Sequence, residues 1–105
     1  MTESVQPIDS VWDALEGSPA EAENMRIRSC LMMAIREFIS SRNLTQSQAA
    51  RLFKVTQPRI SELQRGKINL FSIDRLILML VQAGWRVDVT VSSTSNMVTS
   101  GANNR

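Results

Sequence analysis

Residues 56–67, TQPRISELQRGK, combine amides, hydroxyls and guanidinium groups in one short segment. Gln57 and Arg59 carry side chains that can form paired hydrogen bonds, the amide with adenine and the guanidinium with guanine. Arg65 and Lys67 follow them along the chain and can pair with phosphate. These residue types indicate a surface for a partner rich in acceptors and negative charge. An ordinary solvated helix is the alternative interpretation.

Residue types that most catalytic sites need are missing from the sequence. The 105 residues include no histidine and no tyrosine, and Cys30 is the single cysteine. A Ser/His or Cys/His nucleophile pair is therefore impossible, and the sequence has neither a metal-ligand cluster nor a glycine-rich phosphate loop. We expect no enzymatic activity, no metal and no cofactor. A lone cysteine cannot form an internal disulfide, which favours a reducing, cytoplasmic setting.

The formal net charge of +2 is unevenly distributed along the chain. Residues 1–24 contain six acidic residues and no basic one, whereas residues 42–67 contain six basic residues and one acidic residue, Glu62. A local excess of positive charge is typical of a face that binds phosphate. Charge alone leaves a solvated mixed face open as an alternative.

Capping residues and apolar spacing predict the elements around this basic segment. Residues 1–9 predict a disordered arm, and Ser10 begins a short turn of helix that stops near Gly17. A long helix follows over about residues 20–41. Its apolar side is formed by Ile27, Leu31, Ala34, Ile35, Phe38 and Ile39, widened by Cys30, Met32 and Met33. Cys30 is accordingly predicted to be a structural thiol.

Two short helices, each of about nine residues, are predicted on either side of a tight turn at residues 53–55. Their boundaries are marked by a capping box of Thr45 and Gln48, by Thr56 as an N-cap, by Pro58 in a first turn and by Gly66 at an end. The small Ala50 suits the point where the two helices cross. This pattern favours a helix-turn-helix, whose second helix enters the major groove of DNA.

The second of these helices is predicted to be anchored by Ile60 and Leu63. Its outward side chains are Gln57, Pro58, Arg59, Ser61, Glu62 and Arg65. Gln57 and Arg59 are expected to read bases, while Glu62 either accepts a bond from cytosine or orients Arg59. Phosphate contacts are predicted for Gln46, Arg65, Lys67 and Asn69. The alternative is a four-helix interaction module whose polar helix faces water.

The last predicted elements are a helix over about residues 72–84 and a strand over residues 85–91. The helix is capped by Ser72 and packs through Ile73, Leu76, Ile77, Leu80 and Val81. Alternation then places Trp85, Val87, Val89 and Val91 on one face. The sequence predicts no partner strand, so pairing with a second copy, giving an isologous homodimer, is the simplest solution. An extended segment packed on its own helices is the alternative; residues 92–105 are predicted to be disordered.

The segment LTQSQAARLFKVTQPRISELQRGK resembles, without gaps, the helix-turn-helix of the Xre/Cro/phage-repressor class. SVWDALEGSPAEAE and GKINLFSIDRLILMLVQAGWRVDVTV extend the resemblance to the HigA-type antitoxin and Xre-like regulator subfamily, over about residues 10–91. The expected fold is therefore all-α, a lambda-repressor-like domain of about five helices over residues 10–84. One C-terminal β-strand, residues 85–91, is expected to pair in a homodimer.

The resemblance implies a dimeric transcriptional repressor, and many relatives regulate their own operon. We expect a sequence-specific, cytoplasmic repressor whose two copies bind a palindromic DNA operator. The resemblance implies positions that face bases, or lie next to such positions, for Thr56, Gln57, Arg59 and Glu62. It implies contacts with the DNA backbone for Gln46, Arg65 and Lys67. We also predict phosphate contacts for Ser61 and Asn69. The alternative is an antitoxin that neutralises a RelE/HigB-type ribonuclease toxin, with the acidic residues of segment 1–24 as the hypothesised docking surface. We expect no association with a membrane, because the longest apolar run, residues 76–81, is too short to span one and residues 1–10 lack signal-peptide features.

Two positions depart from the family pattern. Lys54 stands in the turn where the family usually has glycine, and a side chain at positive φ costs about 1 kcal/mol. Either the turn relaxes, or Lys54 gains a phosphate contact. Pro58 replaces a common polar base reader, so its readout is expected to be apolar, for example against a thymine methyl group.

Overall fold

The computed structural model describes residues 17–93, which form four α-helices and one short 3-10 turn. The helices are α1 (Pro19–Ser41), α2 (Gln46–Phe53), α3 (Gln57–Gln64) and α4 (Ile73–Gln82), and the 3-10 turn, Ile68–Leu70, precedes α4. The predicted arm at residues 1–9, most of the turn of helix begun by Ser10 and the end of the predicted tail lie outside the described residues. None of the helices in this part of the chain is long and apolar enough to cross a membrane.

Each helix begins at a side chain that accepts a backbone N–H of the first turn. The caps are Ser18 for α1, Thr45 for α2, Thr56 for α3 and Ser72 for α4. At α2 the capping box is complete, because Thr45 Oγ1 accepts from Gln48 N at 3.0 Å and Gln48 Oε1 accepts from Thr45 N at 2.9 Å. The predicted starts of α2, α3 and α4 are therefore confirmed.

The four described helices also end alike, at a residue in the left-handed conformation. In each case the next residue donates its N–H to a carbonyl five residues back, which is the Schellman pattern. The left-handed residues are Asn43, Lys54, Gly66 and Gly84, and the closing bonds are Leu44 to Ile39, Val55 to Ala50, Lys67 to Glu62 and Trp85 to Leu80. This common ending leaves short connections, which hold the helices close to one another.

The core lies between these helices, with α1 packed chiefly on α4 and α2 packed on α3. It comprises Met32, Ile35, Ile39, Ala49, Ala50, Phe53, Ile60, Leu63, Phe71, Leu76, Met79 and Leu80. The predicted inward positions of Ile60 and Leu63 are confirmed, because both side chains are fully buried. Helix α3 is thus anchored by apolar contacts on one side, and its polar side chains lie on the opposite side.

Three predicted core positions are wrong. Cys30 and Met33 are exposed, because they share the solvent-facing stripe of α1 with Arg26 and Glu37, at spacings of three and four residues. Val81 on α4 is also exposed, and its place in the core is taken by Met79. Cys30 is therefore a surface thiol and does not contribute to packing.

Segment 85–91 is not a strand among the described residues of the single chain. Its first part packs on its own helices: the Trp85 ring meets the Phe38 ring edge-on at a centroid distance of 5.1 Å, and Val87 packs against the core. Its second part does not, since Val89 is 78% and Val91 89% exposed. The alternating pattern predicts a strand correctly only where a partner supplies ladder hydrogen bonds, and residues 17–93 of the single chain supply none.

Candidate nucleic-acid interface

The candidate interface is the outward face of α3 together with the segments that flank it. Thr56, the N-cap of α3, accepts from the Arg59 N–H through its hydroxyl at 3.3 Å. Gln57 and Pro58 occupy the first turn of the helix and are both exposed. The first turn of α3 therefore presents an amide that has no partner among the described residues, beside an apolar ring, on a helix anchored by its buried residues.

The hydroxyl of Thr56 caps α3, which is a role other than the predicted base contact. Because its oxygen already accepts the cap bond, the hydroxyl has its proton left to donate to a partner. The structure thus places Thr56 beside the candidate base readers, as predicted, and also gives it the structural role of an N-cap.

Arg59 and Glu62 form an ion pair one turn apart on α3. Arg59 Nη1 lies 3.1 Å from Glu62 Oε1, and both side chains are partly buried. The same Nη1 donates to the Leu70 carbonyl at 3.3 Å, and the guanidinium lies over the ring of Phe71, 5.4 Å from its centre. Of the two predicted roles for Glu62, the one that the structure contains is the orientation of Arg59.

Exposed cations surround α3. Lys54 precedes the helix, and Arg65 and Lys67 follow it; all three side chains are exposed. Lys54 has φ 59° and ψ 48°, so the turn does not relax to avoid the left-handed conformation. Its backbone N–H donates to the Ala50 carbonyl, so Lys54 closes the end of α2 as glycine does elsewhere.

The remaining predicted phosphate ligands lie on both sides of α3. Gln46 is the first residue of α2, and its amide donates to Gln64 Oε1 at 3.2 Å. Ser61 lies half-buried in the middle of α3, and Asn69 is exposed on the 3-10 turn. Gln57, Ser61 and Gln64 are spaced by four and three residues, which aligns them on one side of the helix. That side leads from the first turn of α3 to the beginning of α2.

Sequence reasoning missed four contributors to this site. Gln64 holds Gln46; Leu70 and Phe71 hold Arg59; and Arg28, on α1, donates to the Ile68 carbonyl at 3.1 Å. The spacing from Gln57 to Gln64 is a signal that reveals Gln64. The other three depend on contacts between separate elements, which helical periodicity does not report.

The described residues offer little to a cofactor. No group of three or more His, Cys, Asp or Glu residues within residues 17–93 is placed to hold a metal ion. Apart from the Glu62 carboxylate, which pairs with Arg59, the polar groups of the interface are amides, hydroxyls and cations. Such groups suit hydrogen bonding and charge pairing with a polyanion.

The sequence matches the helix-turn-helix domain family over residues 14–92, and the chain belongs to that family. A solved structure described as an XRE family transcriptional regulator has the same fold, with a TM-score of 0.66 and 24% sequence identity. The match covers 81% of this chain and 96% of that chain. No curated protein matches the chain significantly. The predicted Xre-type helix-turn-helix is thereby confirmed at the level of the fold.

Proposed function

We propose that this protein is a transcriptional regulator that binds a specific DNA sequence, with α3 as the recognition helix in the major groove. The observation that carries the proposal is the first turn of α3. Gln57 and Pro58 are exposed there, while Ile60 and Leu63 on the same helix are fully buried. A helix-turn-helix reads base edges with the N-terminal residues of its second helix. In this proposal Gln57 bonds adenine, and Pro58 meets a thymine methyl group.

The flanking cations account for affinity in this proposal. Lys54 and Arg65 lie at the two ends of α3, and Lys67 follows in the next turn. Contacts of this kind with phosphate fix the orientation of the protein on the duplex but carry no sequence information. Gln46, at the start of α2, adds a donor beside free backbone N–H groups, which favour an anion.

A dimer that binds a palindromic operator extends the proposal. Val89 and Val91 are the most exposed large apolar side chains of the described residues, and they stand at alternate positions of segment 85–91. Pairing of this segment with a second copy buries them and supplies its missing ladder bonds. Two recognition helices then face half-sites with centres about 34 Å apart. Repression of its own operon is the role that the family resemblance suggests.

The first test is fluorescence anisotropy with the DNA upstream of the gene that encodes the protein. A scrambled duplex of equal length is the control, and each titration is made at two salt concentrations. We expect tighter binding to the upstream DNA, with an affinity that falls steeply as salt rises. Equal, weak binding to both duplexes would contradict sequence-specific recognition of this DNA.

Neutralisation of a RelE/HigB-type toxin is not favoured over DNA binding by the family match or the fold. Most of the acidic segment invoked for it, residues 1–16, lies outside the described part of the chain. The antitoxin role, like membership of the HigA-type subfamily, stays a prediction from the sequence. Co-purification with the product of the adjacent gene and inhibition of that product's ribonuclease activity would test it.

A further inference from the structure

The connection between α3 and α4 is held at both ends by arginine side chains from different helices. Arg28, on α1, donates from Nη1 to the Ile68 carbonyl at 3.1 Å. Arg59, on α3, donates from Nη1 to the Leu70 carbonyl at 3.3 Å. These carbonyls belong to the first and last residues of the 3-10 turn. One short turn is thus bonded to two helices through its backbone.

Each of the two guanidinium groups also has contacts other than its hydrogen bond to the turn. Arg28 Nε donates to Asn24 Oδ1 at 2.7 Å, and its Nη2 lies 3.0 Å from Met25 Sδ. Arg59 is held by the carboxylate of Glu62 and by the buried ring of Phe71. Arginine suits this task because its planar group donates in several fixed directions at once.

The turn has no side-chain cap, and its main-chain bonds are Ile68 N to Gly66 O at 2.7 Å, Leu70 N to Lys67 O at 3.0 Å and Phe71 N to Ile68 O at 3.2 Å. The side chain of Ile68 packs against the core. Hydrogen-bond geometry is poorer in 3-10 segments than in α-helices. The two arginines therefore add to the packing of Ile68 the side-chain hydrogen bonds that join the carbonyls of the turn to α1 and α3.

Two residues that are predicted to contact DNA phosphate lie in this connection. Asn69 is the central residue of the 3-10 turn, and Lys67 immediately precedes it; both are exposed. The Lys67 backbone is fixed on both sides, because its N–H donates to the Glu62 carbonyl and its carbonyl accepts from Leu70. A displacement of the turn therefore stretches or breaks one of these two bonds and changes the position of Lys67.

We infer that Arg28 and Arg59 are positioning residues that hold Lys67 and Asn69 against the DNA phosphates. The inference rests on the proposed function and gives Arg59 a role other than the predicted one, since Arg59 then supports the phosphate contact and does not read a base. Arg28 acts from α1, a helix outside the helix-turn-helix pair. It has no predicted DNA contact of its own.

A double-mutant cycle tests the coupling between Arg28 and Lys67. Affinities are measured by anisotropy for the wild type, Arg28→Gln, Lys67→Ala and the double variant, on a duplex of arbitrary sequence at low salt. We expect each single change to weaken binding by up to about tenfold, and Arg28→Gln to add little once Lys67 is absent. The inference would be overturned if the affinity losses of the two single variants multiply in the double variant. It would also be overturned if Arg28→Gln binds DNA as the wild type does.

Matched variants separate positioning from loss of charge or fold. Arg26→Gln removes the same charge from α1 at an exposed site and should leave the affinity nearly unchanged. Arg28→Lys keeps the charge and fold but cannot make all three bonds, so it should bind more weakly than the wild type. Hydrogen exchange at the Leu70 and Phe71 amides should accelerate in Arg28→Gln and Arg28→Lys. Unchanged exchange would show that Arg28 does not hold the turn.

Base preference tests Arg59. Arg59→Gln is titrated against operator variants that each change one base pair, and we expect a similar loss for every variant. A loss confined to one base pair would show direct reading of that base and overturn the assigned role. The cycle at low salt does not need an operator, so failure of sequence-specific binding leaves that test intact. Absence of all DNA binding by the wild type would remove both proposals.

Discussion

The amide of Gln46, the first residue of α2, donates to Oε1 of Gln64, the last residue of α3, at 3.2 Å. This bond joins the beginning of one helix of the pair to the end of the other. A glutamine amide has two N–H donors, so Gln46 keeps the second for a phosphate oxygen. Gln64 therefore orients a predicted DNA contact on the neighbouring helix.

Gln57→Ala should weaken operator binding by about 1–3 kcal/mol and relax the preference at one base pair. The expected cause is the loss of a paired hydrogen bond to adenine by a side chain that is exposed in the free protein. Titration of the variant against duplexes that differ by single base pairs measures both effects. An equal loss on every duplex would instead assign Gln57 to the backbone.

Arg65→Ala should weaken binding to all duplexes alike, because Arg65 is expected to contact phosphate. Each phosphate contact contributes about 0.9 to the slope of log affinity against log salt, so the variant should lower that slope by roughly this amount. Arg26→Ala is the control, since it removes the same charge from the exposed side of α1. If both variants lower the slope equally, net charge and not position explains the effect.

Lys54→Gly should stabilise the fold by about 1 kcal/mol, because Lys54 is held at φ 59°. For a domain of this size the gain corresponds to a rise in Tm of roughly 4–8 °C. Lys54→Ala is the matched control, since it removes the charge and keeps the unfavourable conformation. Thermal unfolding should rank glycine above both lysine and alanine at this position.

The same two variants test the predicted phosphate contact of Lys54. Both remove the ammonium group, so both should lose a similar amount of DNA affinity, whatever their stability. Wild-type affinity in both variants would mean that Lys54 lies in the turn without a DNA contact.

Val89→Asp should abolish dimerisation and weaken binding to a palindrome much more than binding to a single half-site. The expected reason is that the exposed apolar face of segment 85–91 becomes charged where a second copy is proposed to pack. Sedimentation equilibrium and anisotropy measure the two effects. Thr90→Asp places the same charge on the alternate face and should be milder. A dimer that survives Val89→Asp would exclude this interface.

The helices could be predicted well because their ends carry local signals. Thr45, Thr56 and Ser72 are N-caps, and Gly66 and Gly84 end α3 and α4, so each boundary is determined within a few residues. Such signals act through bonds between near neighbours in sequence. The fold class followed from them and from the spacing of the buried residues.

The exposure of Cys30 could not be predicted in the same way. Apolar residues cover much of α1, and periodicity alone does not show which part of a broad apolar side meets the other helices. Packing of α4 on α1 buries Met32 and Ile35 and leaves Cys30 outside.

The contacts that hold Arg59 could not be predicted from the sequence for a related reason. Its partners Leu70 and Phe71 lie eleven and twelve positions further along the chain, beyond the end of its own helix. Only the Glu62 pair, one turn away, has a spacing that sequence reasoning can use. The sequence therefore predicted the exposed cations around α3 but did not indicate that Arg59 also bonds the connection to α4.

The edge-on contact between Trp85 and Phe38 gives the protein an intrinsic spectroscopic reporter. Trp12, the other tryptophan, lies outside the described residues, so Trp12→Phe leaves one indole at the point where segment 85–91 leaves the helical core. The emission of that indole depends on its exposure to water and on the ring beside it. Fluorescence of the unlabelled protein can therefore follow how this segment moves when DNA or a second copy binds.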